Sequence, residues 1–175
     1  ALPILLAEGC PLPVQQAADG DRLEAGALLV LPPGHDALLE GGRLRLLPPA
    51  APAGPVPCLD RLLASLAEGW GERAVAVLLS GHGSDGAQGL RQVRAAGGLT
   101  LVQAPAGAHC PELPEAAIRH GAAELVLEPA AIAAEINSFC WPLPVAAPDP
   151  ALATERIAGL VLRHTGLRSE EHTSE

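Results

Sequence analysis

Ala74 to Leu79 (AVAVLL) is an unbroken apolar run, and it leads straight into Gly81–Gly86, where three of six residues are glycine. An apolar run of that length suits a strand buried on both faces. The pattern that follows alternates. Ala87 to Ala96 reads as a helix closed by Gly97-Gly98, and Leu99 to Gln103 (LTLVQ) as a strand. Pro114 to His120 reads as a short helix stopped by Gly121, Leu125 to Leu127 as a strand, and Pro129 to Asn137 as a helix with proline in its first turn. Strand–helix alternation of this kind implies a parallel sheet with helices on both faces and right-handed crossovers. Ligands of such folds sit at the carboxyl ends of the strands. The glycine-rich loop after Ala74–Leu79 has that position.

The chain before this unit is less regular. Leu2 to Ala7 reads as the end of a helix, Leu12 to Ala17 as a short strand, Ala18 to Asp21 as a turn, and Ala27 to Leu31 as a buried strand. Ala37–Glu40 and Arg43–Leu47 flank Gly41-Gly42, a two-residue hairpin signal. A Pro-rich loop, Ala50–Pro57, leads to an amphipathic helix over Cys58–Trp70. Its apolar stripe is Leu59, Leu62, Leu63, Leu66 and Ala67, with Asp60, Arg61 and Glu68 outside. From Cys140 the composition changes to a Pro-rich linker (140–150), and Ala151–His164 reads as a second amphipathic helix.

Composition bounds what such a chain does. Its 175 residues amount to about one domain. With 11 basic and 20 acidic residues the net charge is −9, which argues against a nucleic-acid partner. No apolar run approaches the roughly 18–20 residues of a membrane span, and no signal peptide is visible. The chain has no Met, no Lys and no Tyr, and reads as an internal piece of a longer protein from a GC-rich genome. Cys10, Cys58, Cys110 and Cys140 lack disulfide or zinc spacing and read as buried thiols of a cytoplasmic protein.

The loop admits three readings. Gly81, Gly83 and Gly86 spell G-x-G-x-x-G, the dinucleotide fingerprint, but the next strand ends in Gln103-Ala104 rather than in an acid for the ribose. Asp85, at the mouth of a parallel sheet, is placed to orient a histidine in a nucleophilic triad. Ser84-Asp85 is equally placed to cap the helix that follows.

Longer stretches narrow the choice. VQQAADGDRLEAGALLVLPPGHD (Val14–Asp36), CLDRLLASLAEGWGERAVAVLLSGHGSDGAQGLRQVRAAGGLTLVQ (Cys58–Gln103) and LPEAAIRHGAAELVLEP (Leu113–Pro129) together resemble the catalytic domain of the chemotaxis protein-glutamate methylesterase family (CheB). The order S-G-x-G-x-D-G-A, then A-G-G-x-T-x-x-Q, is the most specific part. The resemblance implies an α/β fold with a mainly parallel, doubly wound sheet flanked by helices and a small β-hairpin, lacking the family's N-terminal strands. It implies hydrolysis of glutamate methyl esters on chemoreceptors, with glutamine deamidation in some members. The mechanism it implies is a Ser-His-Asp triad. Asp85 inherits the aspartate's role, and the serine and histidine belong to the family's first strands, ahead of this chain. By the same resemblance Gly81, His82 and Gly83 correspond to the oxyanion and active-site loop, with the His82 N–H as a candidate donor. His35 is a candidate substrate contact. His109 and His120 read as surface residues, and Trp70 and Trp141 as packing residues.

The resemblance implies no metal or cofactor for the esterase, and chemoreceptor cytoplasmic helices as partners in a cytoplasmic phosphorelay pathway. Several residues depart from the family pattern: His82 stands for a usual methionine, Cys58 for a serine, Ala104 for an acid, and Glu112-Leu113-Pro114 for Gly-Met-Pro. Those at His82, Ala104 and Glu112 favour a second reading, a receptor-docking module without catalysis. The domain reading is a partial methylesterase domain over 1–139, the linker over 140–150, and over 151–167 the start of a helical domain resembling the N-terminus of the chemoreceptor methyltransferase (CheR). S-adenosylmethionine is expected only for that methyltransferase half, as in esterase–transferase hybrids. Arg168–Glu175 (RSEEHTSE) resembles a translated sequencing adapter and carries no function.

Overall fold

The computed structural model describes residues 12–24, 26–49, 58–140 and the pair 159–160. The chain order is β1 (Val14–Gln16), β2 (Leu28–Val30), β3 (Asp36–Glu40), β4 (Arg43–Leu47), α1 (Leu59–Trp70), β5 (Val75–Leu78), α2 (Ala87–Ala95), β6 (Leu99–Gln103), α3 (Glu112–Arg119), β7 (Leu125–Leu127), α4 (Pro129–Cys140) and β8 (Gly159–Leu160). The strands form two parallel three-stranded sheets, β1-β2-β8 and β5-β6-β7, and one antiparallel hairpin, β3-β4. This is the mixed, mainly parallel α/β architecture that the alternation implies.

The site rests on the β5-β6-β7 sheet. Val75 pairs with Leu99 and Leu78 with Val102, so β5 and β6 end side by side. β6 is covered on both sides, so Thr100, Leu101, Val102 and Gln103 are all buried, without alternation. On one side Val102 joins a cluster with Leu59, Leu63, Leu78, Leu90, Val93 and Leu113 from α1, α2, α3 and β5. On the other, α4 lies against β6 and buries Ile132. A second cluster holds Leu29, Leu31, Leu39, Leu44 and Leu62. α1 belongs to both clusters, because its apolar stripe is wide enough to face two partners. Trp70 packs at their junction, with the Arg73 guanidinium 5.0 Å from its ring centre. It is a packing residue, as the sequence suggests.

Several boundaries differ from expectation. α3 starts at Glu112, two residues before Pro114, because a proline in the first turn removes no helical hydrogen bond. α4 runs on to Cys140, beyond Asn137 and into the first residue of the expected linker. Gly159–Leu160 pairs parallel with Leu28–Leu29 of β2 rather than forming part of a helix. A strand edge offers unpaired N–H and C=O groups to any nearby chain, and local periodicity does not register that pull. Leu2–Ala7, Ala50–Pro57, Trp141 and the remainder of 141–175, including the expected linker, helix and terminal stretch, lie outside the described residues.

Candidate active site

The loop from Ser80 to Gly86 leaves the carboxyl end of β5 and enters α2. Two features of the chain give it its path. Gly86 has φ +104°, and a Cβ there would stand 3.1 Å from Leu59 Cβ and 3.2 Å from Leu78 Cδ2. Glycine is therefore required both by conformation and by space. The second feature is a row of bonds to the segment after β6. Ser80 N–H donates to Gln103 Oε1 at 2.8 Å, and Gln103 Nε2 donates to the Gly107 carbonyl at 3.1 Å. Gly81 N–H donates to the Cys110 carbonyl at 2.9 Å, and Leu113 N–H to the Gly81 carbonyl at 3.0 Å. Buried Gln103, the last residue of the A-G-G-x-T-x-x-Q pattern, thus clamps the loop to β6.

Asp85 points back toward α1. Its carboxylate accepts hydrogen bonds from Leu59 N–H at 2.7 Å and Asp60 N–H at 3.2 Å, and the Cys58 thiol lies 3.7 Å from Oδ1. Capping is therefore part of its role, but for the preceding helix rather than the following one. Buried Asp36 supports the same helix end by accepting Cys58 N–H at 2.8 Å. The exchange is reciprocal. Asp60 Oδ1 accepts Gly86 N–H at 3.0 Å and Gly89 N–H at 2.7 Å, so α1 caps α2. Each helix N-terminus carries unsatisfied donors and a partial positive charge, and each is met by a carboxylate of the other. Asp60 is accordingly half-buried between the helices rather than outside.

That exchange also overturns the dinucleotide reading. A pyrophosphate would need the N-terminal amides of α2, and Asp60 already occupies two of them. Gly83 N–H donates to Glu112 Oε2 at 3.0 Å, placing a second negative charge on the same loop.

Among the candidate site residues, Asp85, Gly81, His82 and Gly83 share this loop. His35 lies apart from them in its bonding: it is exposed, and its Nδ1 is 3.0 Å from the Pro33 carbonyl. His109 and His120 are exposed. Cys58 and Cys110 are free thiols, half-buried rather than buried. Burial raises the Cys58 thiol pKa against the opposing pull of Arg61 N–H, and the nearby Asp85 and Asp36 carboxylates add to the rise. Sequence reading missed Asp60, Gln103 and the role of Cys110. Two signals were available: Asp60 is an acid in the first turn of a helix, and Gln103 ends the A-G-G-x-T-x-x-Q pattern.

Two expected results arise here. Cys58 sits at the N-cap of α1 with extended backbone and makes no side-chain cap bond. Cys58→Ser should therefore stabilise the fold by about 0.5–1 kcal/mol; an unchanged or lower Tm would count against this. The second concerns Glu112, whose pKa is lowered chiefly by the Gly83 N–H bond and next by its proximity to His82. A depressed folded-state pKa means that the bond is present above the ordinary glutamate value and is lost as pH falls through the lowered one. The Gly83 amide resonance should titrate below the ordinary glutamate range, and Glu112→Gln should abolish that titration.

The fold and the site define a parallel α/β domain with a clamped, glycine-rich loop at a strand's carboxyl end, carrying an aspartate fixed by two backbone N–H groups. The comparisons give that class a family. The CheB methylesterase family model matches residues 1–136, and the chain belongs to that family. It is 42% identical over 143 residues to a protein-glutamate methylesterase/protein-glutamine glutaminase of Anaeromyxobacter dehalogenans, covering 77% of this chain and 41% of that protein. A protein of the same description from Myxococcus xanthus is 42% identical over 113 residues, covering 65% of this chain and 32% of its own length. The crystal structure of the Thermotoga maritima CheB methylesterase catalytic domain superposes with a TM-score of 0.69 at 25% identity, covering 77% of this chain and 74% of that one. The chain thus spans well under half the length of these curated relatives. Among the described residues no helix is long and apolar enough to cross a membrane.

Proposed function

We propose that this chain supplies the carboxylate of a protein-glutamate methylesterase that acts on methylated chemoreceptors, with glutamine deamidation as a second activity of the same site. Asp85 is the third triad member, and the serine and histidine come from chain outside these 175 residues. The single observation that carries the reading is the position of Asp85 on the clamped loop at the end of β5, in a chain whose family is the methylesterase family. A carboxylate has about four acceptor positions. The bonds from Leu59 N–H and Asp60 N–H fix its plane, and the remaining capacity is enough for an imidazole N–H.

In this mechanism the histidine takes the serine proton as the serine attacks the ester carbonyl. Methanol leaves with that proton, and water then releases the glutamate. Asp85 holds the histidine tautomer and offsets the charge of the imidazolium. The backbone N–H of His82 is the proposed oxyanion donor, a role that does not depend on the side chain. Soluble cytoplasmic location and receptor docking are part of the same proposal.

Methanol release from methylated receptor, by a protein that carries this domain with the chain preceding it, is the test. Release that requires Asp85 supports the triad. Receptor binding without any methanol release would support the alternative, a docking module in which Asp85 serves the helix cap alone.

A further inference from the structure

His82, Cys110 and Glu112 are gathered at the outer end of the clamped loop, and neither the triad nor the fold uses their side chains together. Cys110 Sγ lies 3.2 Å from His82 Nε2. On the other side of the same ring, His82 Nδ1 lies 3.6 Å from Glu112 Oε2. Glu112 is itself held in place by the bond from Gly83 N–H at 3.0 Å. The order is thiol, imidazole, carboxylate: a nucleophile within reach of a base, and the base beside an acid that orients it.

The backbone fixes this order. Cys110 N–H donates to Ser80 Oγ at 2.8 Å, and its carbonyl accepts Gly81 N–H at 2.9 Å. The two residues on either side of the Ser80–Gly81 link to Cys110 are thereby held at one register. Cys110 is half-buried rather than enclosed, and the side chains of His82 and Glu112 beside it are 61% and 62% exposed. Among the described residues no group of three or more His, Cys, Asp or Glu has the geometry to hold a metal ion, so ligation does not account for the arrangement.

We propose that Cys110, His82 and Glu112 form a second nucleophilic site, in which the Cys110 thiol accepts the acyl group of small carboxylic esters. In the step, His82 Nε2 takes the thiol proton as sulfur attacks the ester carbonyl carbon. A C–S bond forms, the ester C–O bond breaks, and the departing oxygen leaves as the alcohol with the proton from His82. The product is a thioester on Cys110. No oxidant or reductant is involved. The Glu112 carboxylate, 3.6 Å from Nδ1, favours the proton on that nitrogen and so leaves Nε2 as the acceptor. Cys58 serves as a slow internal reference: it too is half-buried, burial and the Asp85 and Asp36 carboxylates hold its thiol protonated, and none of its bonds is to an imidazole.

The test is acetylation of the full chain by p-nitrophenyl acetate, with the acetyl group located by peptide mass mapping at short times. Cys110 is expected to be acetylated about tenfold or more faster than Cys58 at neutral pH, the size of effect that a histidine partner gives a thiol. His82→Gln should lower the Cys110 rate toward that of Cys58. Glu112→Gln should lower the rate by a smaller factor. Equal rates at Cys110 and Cys58 in the unsubstituted chain would overturn the proposal, and that comparison needs no variant to fold. A His82→Gln chain with native circular dichroism and an undiminished Cys110 rate would overturn it as well.

Discussion

Asp85→Asn is expected to lower methyl-ester hydrolysis by about 10³–10⁴-fold, the loss seen when a triad carboxylate is neutralised in place. The fold should survive. Asparagine caps a helix about as well as aspartate, and its one carbonyl oxygen can still accept Leu59 N–H or Asp60 N–H, the two bonds made in the unsubstituted protein. Loss of the other bond should cost about 1 kcal/mol. The two roles of Asp85 therefore separate cleanly in this variant: stability nearly kept, kcat lost, and KM little changed because the receptor surface is untouched. If Asp85→Asn kept full activity with methylated receptor, Asp85 would be a cap and nothing more. Asp85→Ala is the comparison that removes both roles, and should lose stability as well as rate.

Gly89→Ala should be the most damaging small change in the core. On an isolated helix the substitution would gain about 1 kcal/mol. Here the added Cβ would stand 2.7 Å from the Asp60 carbonyl oxygen, 2.7 Å from Leu63 Cβ and 2.9 Å from Asp60 Cα. Two of those atoms belong to the backbone of α1, so no rotamer change relieves the contact, and the helices must move apart. Overpacking costs roughly 1–3 kcal/mol. The separation also draws Asp60 Oδ1 away from Gly86 N–H and Gly89 N–H, and losing that cap adds about 1 kcal/mol. Set against the helix-propensity gain, the net loss is about 1–3 kcal/mol, which should lower Tm by roughly 2–12 °C for a domain of this size. A Gly89→Ala protein that melts at or above the parent temperature would show that α1 and α2 are not in contact at this point.

These two residues also show how legible the chain was. The alternation of β5, α2, β6, α3, β7 and α4 could be read from apolar periods and glycine stops, since each depends on neighbours in sequence. The hairpin could be read from Gly41-Gly42, which take φ of +58° and +75° as a two-residue turn requires. Asp85 was legible as a candidate site residue through its position in a specific motif. Its partners were not, because Leu59 and Asp60 lie 26 and 25 residues away. A motif marks which loop matters, but it does not say which helix end the loop will face.

Local order along this chain followed from residue spacing: where strands and helices run, which faces are apolar, and where the backbone turns. That is possible because hydrophobic period and glycine conformation act over a few residues. The pairing of Asp60 with α2 and of Asp85 with α1, the clamp of Gln103 on Ser80, and the meeting of Cys110, His82 and Glu112 came from packing alone. Each joins residues more than 20 positions apart, and each depends on the distance between two elements, a quantity set by how side chains fill the space between them.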